Sequence, residues 1–440
     1  MKAQSSSVDD NVSNLCNDTV HSFALACGRH VPVCVSQAPL ADAEDHIVVR
    51  HSEKLDVLAQ LAQYPHVARL LEPDAELKQL SRQRHRVRDW LNEGFYIFGA
   101  FKVGLRVARQ ARTLGLEVKG FLDNDRAKSG QALEGLSIDH PAGMPLDNAV
   151  VVVASGRHAN AIAGQLGAVP GIRLVNLHEC LYALDGAGPG LGCEKFAAFV
   201  EAPLQAPWRY ISAFLRLDDD TSRRVFDGLM GMRIELSTLC AESVKSPWDD
   251  EYFDRTFVQP RHAARFVDAG AAAGDTLARL EAHFGPVHQA WLFEPELPAY
   301  YEALKRFCDR PEVWVFNMGL DEAPSRALYQ PALSYDIAGE LSSDIPSAIT
   351  SFIQGVPLDG VVAGKVGLFK LDIEGMEASA LRGARAIIER DQPVLAVCAY
   401  HRSDDYWKLI DQVQAIGQDY KVGIRLYADI LEDITLYFYR

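Results

Sequence analysis

Apolar positions fall into two regimes along the chain. Between His51 and Glu93, Leu55, Leu58, Leu61, Leu70, Leu71, Leu77, Leu80 and Leu91 recur at three- and four-residue steps, a spacing that predicts helices. The polar start, MKAQSSSVDDNV, is expected to lack fixed structure. From Phe95 the pattern changes to short apolar runs alternating with amphipathic stretches. FYIFGA, VKGFLDND, AVVVVASG and RLVNL read as strands, with helices over Lys102–Leu114 and His158–Leu166. GAGPGLG, residues 186–192, reads as a linker. The stretch Pro203–Leu239 is helical in spacing, and its Asp218-Asp219-Asp220 run suits a solvated helix cap. A second strand series follows: Ala264–Val267, AWLFEPE, VWVFNMGL, VGLFKLDIEG, VLAVCAYH, YKVGIRLY and ITLYFY.

Strands alternating with helices predict parallel sheets. The expected fold class is α/β, with two Rossmann-like parallel-sheet domains and a terminal antiparallel hairpin closing the second through Ala428–Asp433. The expected boundaries are a helical lead-in over 1–93, a first sheet domain over 94–185, a linker over 186–202 and a second sheet domain over 203–440.

The second domain opens on FVDAGAAAGDT, residues 266–276. An apolar strand ends at Asp268, then turns through Gly270 and Gly274 into a helix that Asp275 and Thr276 would cap. A strand that turns through glycines into a helix N-terminus lets a ligand approach the backbone. Glu294 ends the next strand, eighteen residues after Thr276. A carboxylate there can accept both hydroxyls of a ribose, so the pair predicts a site for an adenosine-containing cofactor.

The remaining strand ends extend this edge. Asn317 in VWVFNMGL could reach a purine or the cofactor's tail. In VGLFKLDIEG, Lys370, Asp372 and Glu374 alternate and would share one face. Three ionisable groups at a ligand edge mark a functional site, the alternative being an ion pair of Lys370 with Asp372 or Glu374 that braces the strand. VLAVCAYH delivers His401 to the same edge. The region 321–364 would shape the acceptor pocket, with Tyr329, Tyr335 and Phe352 as walls.

The first sheet domain carries a broken dinucleotide fingerprint. In Gly99-Ala100-Phe101-Lys102-Val103-Gly104, Phe101 stands where a glycine would admit a pyrophosphate. Asp123 or Asp125 occupies the place of a ribose-binding acid. The motifs FYIFGAFKVGLRV, GFLDND and VVVVASG resemble the Rossmann-like N-terminal domain of sugar O-acyltransferases and nucleotide-sugar-modifying enzymes, over residues 94–180. That resemblance implies a nucleotide or sugar ligand, or a structural role.

FVDAGAAAGDT, LFEPE, FKLDIEGMEASALRGA, PVLAVCAYH and LYADILEDITLYFY together resemble the FkbM family of S-adenosylmethionine-dependent methyltransferases, over residues 210–440. The resemblance implies a class I methyltransferase fold, S-adenosylmethionine as cofactor, and methyl transfer to an oxygen of a sugar or natural product. It also implies that Asp268, Gly270, Gly274, Asp275, Thr276 and Glu294 line the cofactor, while Asp372, Glu374 and His401 face the acceptor. His401 would be the base and Asp372 its runner-up. The chain departs from the family in Ala271-Ala272-Ala273, where a bulkier or polar residue is common. Two carboxylates alone do not make a magnesium site, so no metal is expected. The rival functions are a nucleotide-sugar oxidoreductase or epimerase, or a non-catalytic nucleotide-sugar-binding protein, each built on the N-terminal domain. No Tyr-x-x-x-Lys pair stands in the N-terminal domain to support the first.

A net charge of −15 offers no basic excess for a phosphate backbone, so nucleic acid is not an expected partner. The eight cysteines show no CxxC or zinc spacing. No apolar run approaches the ~20 residues of a membrane span, and the polar N-terminus is no secretory signal. These features predict a cytoplasmic protein, and the family resemblance implies a small-molecule or glycan acceptor.

Overall fold

The computed structural model describes residues 20–24, 30–34, 60–184, 195–329 and 351–440. The expected unstructured first dozen residues lie outside these. The lead-in is not helical throughout: β1 (Val20–Ala24) and β2 (His30–Cys34) form an antiparallel pair. Helices Pro65–Arg69 and Pro73–Asn92 follow, each opened by a proline at its first position, where a missing N–H costs nothing.

The first sheet is built from β3 (Phe95–Phe98), β4 (Val118–Leu122), β5 (Ala132–Leu133), β6 (Leu136–Asp139), β7 (Val150–Val153) and β8 (Arg173–Asn176). Their order is β5-β6-β4-β3-β7-β8, parallel except for β5. The run of valines in β7 is explained by its neighbours. Val150 and Val152 join the main core, whereas Val151 and Val153 pack under helix Ala159–Leu166. A parallel strand covered on both faces needs apolar residues at every position. The β5–β6 hairpin escaped sequence reading because its two-residue turn, Glu134-Gly135, holds both residues at positive φ without an asparagine or aspartate.

The loop of the broken fingerprint is braced from within. Phe101 projects at 55 % exposure ahead of helix Lys102–Thr113. Asp123 is spent on the loop itself, accepting from the Ala100 N–H at 3.1 Å, the Asp125 N–H at 2.9 Å and Lys128 Nζ at 2.9 Å.

Part of the expected linker is helix. Residues 196–202 belong to helix Phe196–Gln205, which carries Pro203 inside it. Helices Pro207–Leu215 and Asp220–Glu235 follow. Asp219 caps the latter through the Ser222 N–H at 2.8 Å, as the acidic run suggested.

The second sheet comprises β9 (Arg265–Ala269), β10 (Gln289–Phe293), β11 (Val313–Phe316), β15 (Leu368–Leu371), β16 (Val394–Cys398), β17 (Lys421–Leu426) and β18 (Ile434–Tyr439). Between them β12 (Gly319–Leu320), β13 (Ser325–Tyr329) and β14 (Ser351–Val356) form a separate small sheet. The large sheet runs β11-β10-β9-β15-β16-β18-β17, with β18 antiparallel to both its neighbours. This is the parallel sheet closed by a C-terminal hairpin that the sequence predicts. Tyr335 lies outside the described residues, and Tyr329 and Phe352 are placed only as strand positions in β13 and β14.

Both sheets share one core. Val67, Leu80, Val87 and Leu91 pack in the same cluster as Phe214, Phe226 and Met230. Asp227 accepts from the His66 and Val67 N–H groups at 2.8 and 2.9 Å. The loop between β17 and β18 reaches the first domain, where the Asp429 N–H donates to Gly156 O at 2.9 Å. Buried His178, its pKa pushed down to about 3 by burial and by Arg233, accepts from the Leu431 N–H at 3.0 Å. A chain cut at Pro203 would expose this apolar face, and we expect it to lose cooperative unfolding in a urea titration followed by tryptophan fluorescence. A sharp, full-amplitude transition in the cut chain would contradict the shared core. Among the described residues no helix is long and apolar enough to cross a membrane.

Candidate functional site

Strand order reverses between β9 and β15: the chain runs outward from β9 through β10 and β11, then returns to β15 on the other side. Ligands of open α/β sheets bind outside the carboxyl ends of strands at such a point. Gly270 and Asp372 meet there. Gly270 holds φ 79°, and a Cβ on it would stand 1.9 Å from Asp372 O. Gly270→Ala should therefore cost roughly 1–3 kcal/mol through strain and displacement of the Asp372 strand end. Chemical denaturation reads this directly, and an unchanged midpoint would mean the two loops need not touch.

The loop after β9 closes on β10. The Gly270 and Ala271 N–H groups both donate to Phe293 O, at 2.9 and 3.1 Å. Gly274, at φ 78° against the Phe307 ring, caps helix Asp275–Phe284. Asp275 and Thr276 are thus its first two helical residues rather than its caps, Asp275 exposed and Thr276 buried. Glu294 is 6 % exposed. Its carboxylate accepts from the Ala272 N–H at 2.8 Å and the Glu296 N–H at 2.7 Å. Burial raises its pKa, and those two N–H groups pull it back. Each oxygen accepts one backbone bond and keeps further acceptor capacity, which suits a pair of ribose hydroxyls. Asn317 does not aim its amide at a ligand: Nδ2 donates to the Glu294 and Pro295 carbonyls at 3.0 Å each, fixing the turn that presents Glu294.

Asp268 and Lys370 occupy a different layer from the one their sequence positions suggest. They are register partners on β9 and β15, 0 % and 1 % exposed, with Nζ 3.0 Å from Oδ1. Lys370 also donates to Ala269 O at 3.2 Å and Gly270 O at 2.8 Å. The ion pair that braces the strand therefore runs to Asp268, not to Asp372 or Glu374, and Asp268 sits beneath the loop rather than lining the crevice. Burial pushes the Asp268 carboxyl up to about 6 against the pull of Lys370. Burial alone would lower the Lys370 ammonium, but Asp268 and Asp372 outweigh it and hold its pKa up.

Asp372 does face the crevice, with a quarter of its side chain exposed. It accepts from Tyr252 Oη at 3.0 Å and Tyr400 Oη at 3.2 Å. Burial would raise its pKa, yet Lys370, His401 and the Tyr252 hydroxyl together hold it below the ordinary carboxylate value. Burial and the Asp372 charge in turn push both phenols well up. His401 is 4 % exposed, with Nδ1 2.9 Å from Glu377 Oε1 and Nε2 3.4 Å from Asp372 Oδ1 and 3.8 Å from Glu374 Oε2. Burial would lower its pKa, but Glu377, Asp372 and Glu374 raise it to about 10. The imidazole thus lies in a strongly negative pocket, where it holds a proton at neutral pH rather than standing ready to take one. Glu374 has a largely exposed side chain on a left-handed backbone, φ 56°.

Asp372, Glu374 and His401 are brought together as expected, and three further residues complete the cluster. Glu377 lies inside the motif LDIEGMEASALRGA and Tyr400 just before His401. Their helix and strand-end positions gave no separate signal. Tyr252 arrives from SPWDDEYF, 120 residues before Asp372, so only the tertiary fold could reveal it.

Residues 268–422 match the methyltransferase FkbM domain, and this part of the chain is a methyltransferase domain. The methyl donor of such a domain is S-adenosylmethionine. No curated protein matches the sequence. The methyltransferase FkbM from Methylobacillus flagellatus KT is similar in fold, with a TM-score of 0.62 at 22 % identity, covering 83 % of this chain and 100 % of its own. That share exceeds what residues 203–440 could supply, so the likeness extends into the first domain. Fibrillarin from Aeropyrum pernix, solved with bound S-adenosyl-L-methionine, matches at a TM-score of 0.29 and 15 % identity over 41 % of this chain and 68 % of its own.

Proposed function

We propose that this protein transfers a methyl group from S-adenosylmethionine to a hydroxyl oxygen of a sugar or natural product. The reading rests on one observation: the Glu294 cradle and the Asp372 cluster flank the same sheet reversal, meeting at Gly270 and Asp372. When bound, the donor supplies an already activated methyl on a sulfonium. The protein's part is to hold, orient and deprotonate. Glu294 takes the ribose hydroxyls, and the loop Gly270–Gly274 borders the amino-acid end. Asp372, kept ionised by Lys370 and His401 and fixed by two phenols, orients the acceptor hydroxyl and receives its proton. The new O–CH3 bond forms as the S–CH3 bond breaks, and its electron pair stays on sulfur. Alignment of this kind supplies much of the rate, and a positioned base adds roughly 10²–10⁴-fold. The proton-accepting role falls to Asp372 rather than His401 because the imidazole is already charged.

The first domain belongs to this reading. Arg157, at the carboxyl end of β7, lies with its guanidinium 4.2 Å from the Trp248 ring and 3.8 Å from Asp433. The Asp372 charge in turn helps to raise the pKa values of Asp433 and Glu251. The N-terminal domain thus borders the acceptor side. We expect Arg157→Ala to raise the acceptor KM several-fold while the donor KM stays fixed. A change in the donor KM alone would remove the first domain from acceptor recognition.

Thermal unfolding tests the donor. S-adenosylhomocysteine at about 100 times its dissociation constant should add roughly 2.7 kcal/mol of apparent stability. Glu294→Ala should abolish the shift. No shift, or one with NAD alone, would refute the reading.

A further inference from the structure

Around His401 lie groups that could hold a metal ion. Asp372, Glu377 and His401 each offer a ligand atom, all within 4.8 Å of one another. The geometry is more specific than a cluster of acids. Glu377, 1 % exposed, accepts from the Ile373 N–H at 3.0 Å and the Gly375 N–H at 3.4 Å, so its position is fixed by the backbone of the preceding turn. From there its Oε1 lies 2.9 Å from His401 Nδ1. A carboxylate on one ring nitrogen is the support that metal-bound histidines use to fix the tautomer and turn the other nitrogen's lone pair toward the ion. That other nitrogen, Nε2, faces Asp372 Oδ1 at 3.4 Å and Glu374 Oε2 at 3.8 Å. An ion ~2.1 Å from each of two neighbouring ligands holds them ~3.0–3.4 Å apart, so the first distance needs no rearrangement and the second a small one. Asp372 is itself oriented by Tyr252 and Tyr400. A second oxygen of Glu377, Oε2, is buried without a hydrogen-bond partner.

We propose that His401 Nε2, Asp372 and Glu374 bind a divalent cation of the Mn²⁺ class, with Glu377 as the residue that positions His401. One imidazole with carboxylates and no thiolate suits such an ion and leaves coordination positions open. Those positions would take two adjacent oxygens of the acceptor, a vicinal diol or a hydroxy-carbonyl pair. This narrows the acceptor class, and that last step rests on the methyl-transfer reading above. Binding of the ion itself does not. The cation would lower the pKa of the hydroxyl it holds.

The test uses the full chain, stripped with a chelator and titrated with Mn²⁺ while the electron paramagnetic resonance of the free ion is followed. We expect one bound equivalent that His401→Ala abolishes and Glu377→Gln weakens by about 10–100-fold. Glu374→Gln changes an exposed side chain, leaves folding unaffected and should weaken binding about tenfold. Cys240→Ser, in the separate His66, Glu235 and Cys240 group, should leave the titration unchanged. The inference is overturned by no binding at millimolar Mn²⁺, or by binding that Cys240→Ser removes and His401→Ala does not. The stability shift with S-adenosylhomocysteine, measured on the same samples, separates the two readings. A shift without Mn²⁺ binding sinks the cation site alone, whereas Mn²⁺ binding without a shift sinks methyl transfer and leaves the site.

Discussion

Lys370→Ala is expected to lower stability by roughly 3–5 kcal/mol, because it leaves the buried Asp268 carboxyl without its partner in the middle of a sheet, where it must stay charged unpaired or take up a proton. The pair lies on the face where Phe266, Leu292, Leu368 and Ala396 form an apolar layer, so no water is at hand to take the place of the ammonium. Removing both charges is a different experiment. A Lys370→Met, Asp268→Leu double variant should recover much of the loss, since an apolar pair of similar volume avoids the desolvation of two ions. It should not recover donor binding, because Lys370 also anchors the Ala269 and Gly270 carbonyls from which the crevice loop springs. Urea midpoints and the S-adenosylhomocysteine shift separate the two effects. A single variant that loses less than about 1 kcal/mol would show that the charge finds another partner.

Asp372→Asn should cut the rate of methyl transfer by roughly 10²–10⁴-fold while leaving the donor's KM nearly unchanged. The amide keeps the size of the carboxylate but can neither take a proton nor accept from both phenols, since its nitrogen would face a hydroxyl hydrogen. An interaction made only in the transition state shows itself as a loss in kcat. Single-turnover transfer of a labelled methyl group to a hydroxylated acceptor measures it. Activity within a few-fold of the parent would move the proton-accepting role elsewhere in the cluster.

The sequence made the second sheet legible because each strand ends in a residue unlike its interior. Gly270, Glu294 and Asp372 interrupt apolar runs, and all three stand at the sheet's carboxyl edge. Alternation misplaced Asp268 and Lys370. Period-two spacing says which face a side chain takes, but not whether that face is covered at that height, and here both lie one layer too deep. The imidazole's charge was equally out of reach, since it depends on Glu377, whose helical position only the fold aims at Nδ1. In the first domain the strands were evident from their valines, whereas the use of Asp123 within its own loop was not. The small sheet of β12, β13 and β14 had no clear pattern, being made of strands that pair across long sequence gaps.

The placement of helix Asp220–Glu235 against helices Pro65–Arg69 and Pro73–Asn92 bears on how the chain is made. Residues 60–92 leave the ribosome about 130 residues before the helix that covers them, an interval on the order of ten seconds at ordinary rates of synthesis. Through that interval the nascent protein carries a bare apolar surface on Val67, Leu80, Val87 and Leu91. The wait is longer still at the other end. His178 receives its partner, the Leu431 amide, only 253 residues later, and Gly156 waits similarly for the Asp429 amide. The first domain is therefore finished by residues from the far edge of the second, and a ribosome stalled before them would hold two open domains instead of one closed and one pending.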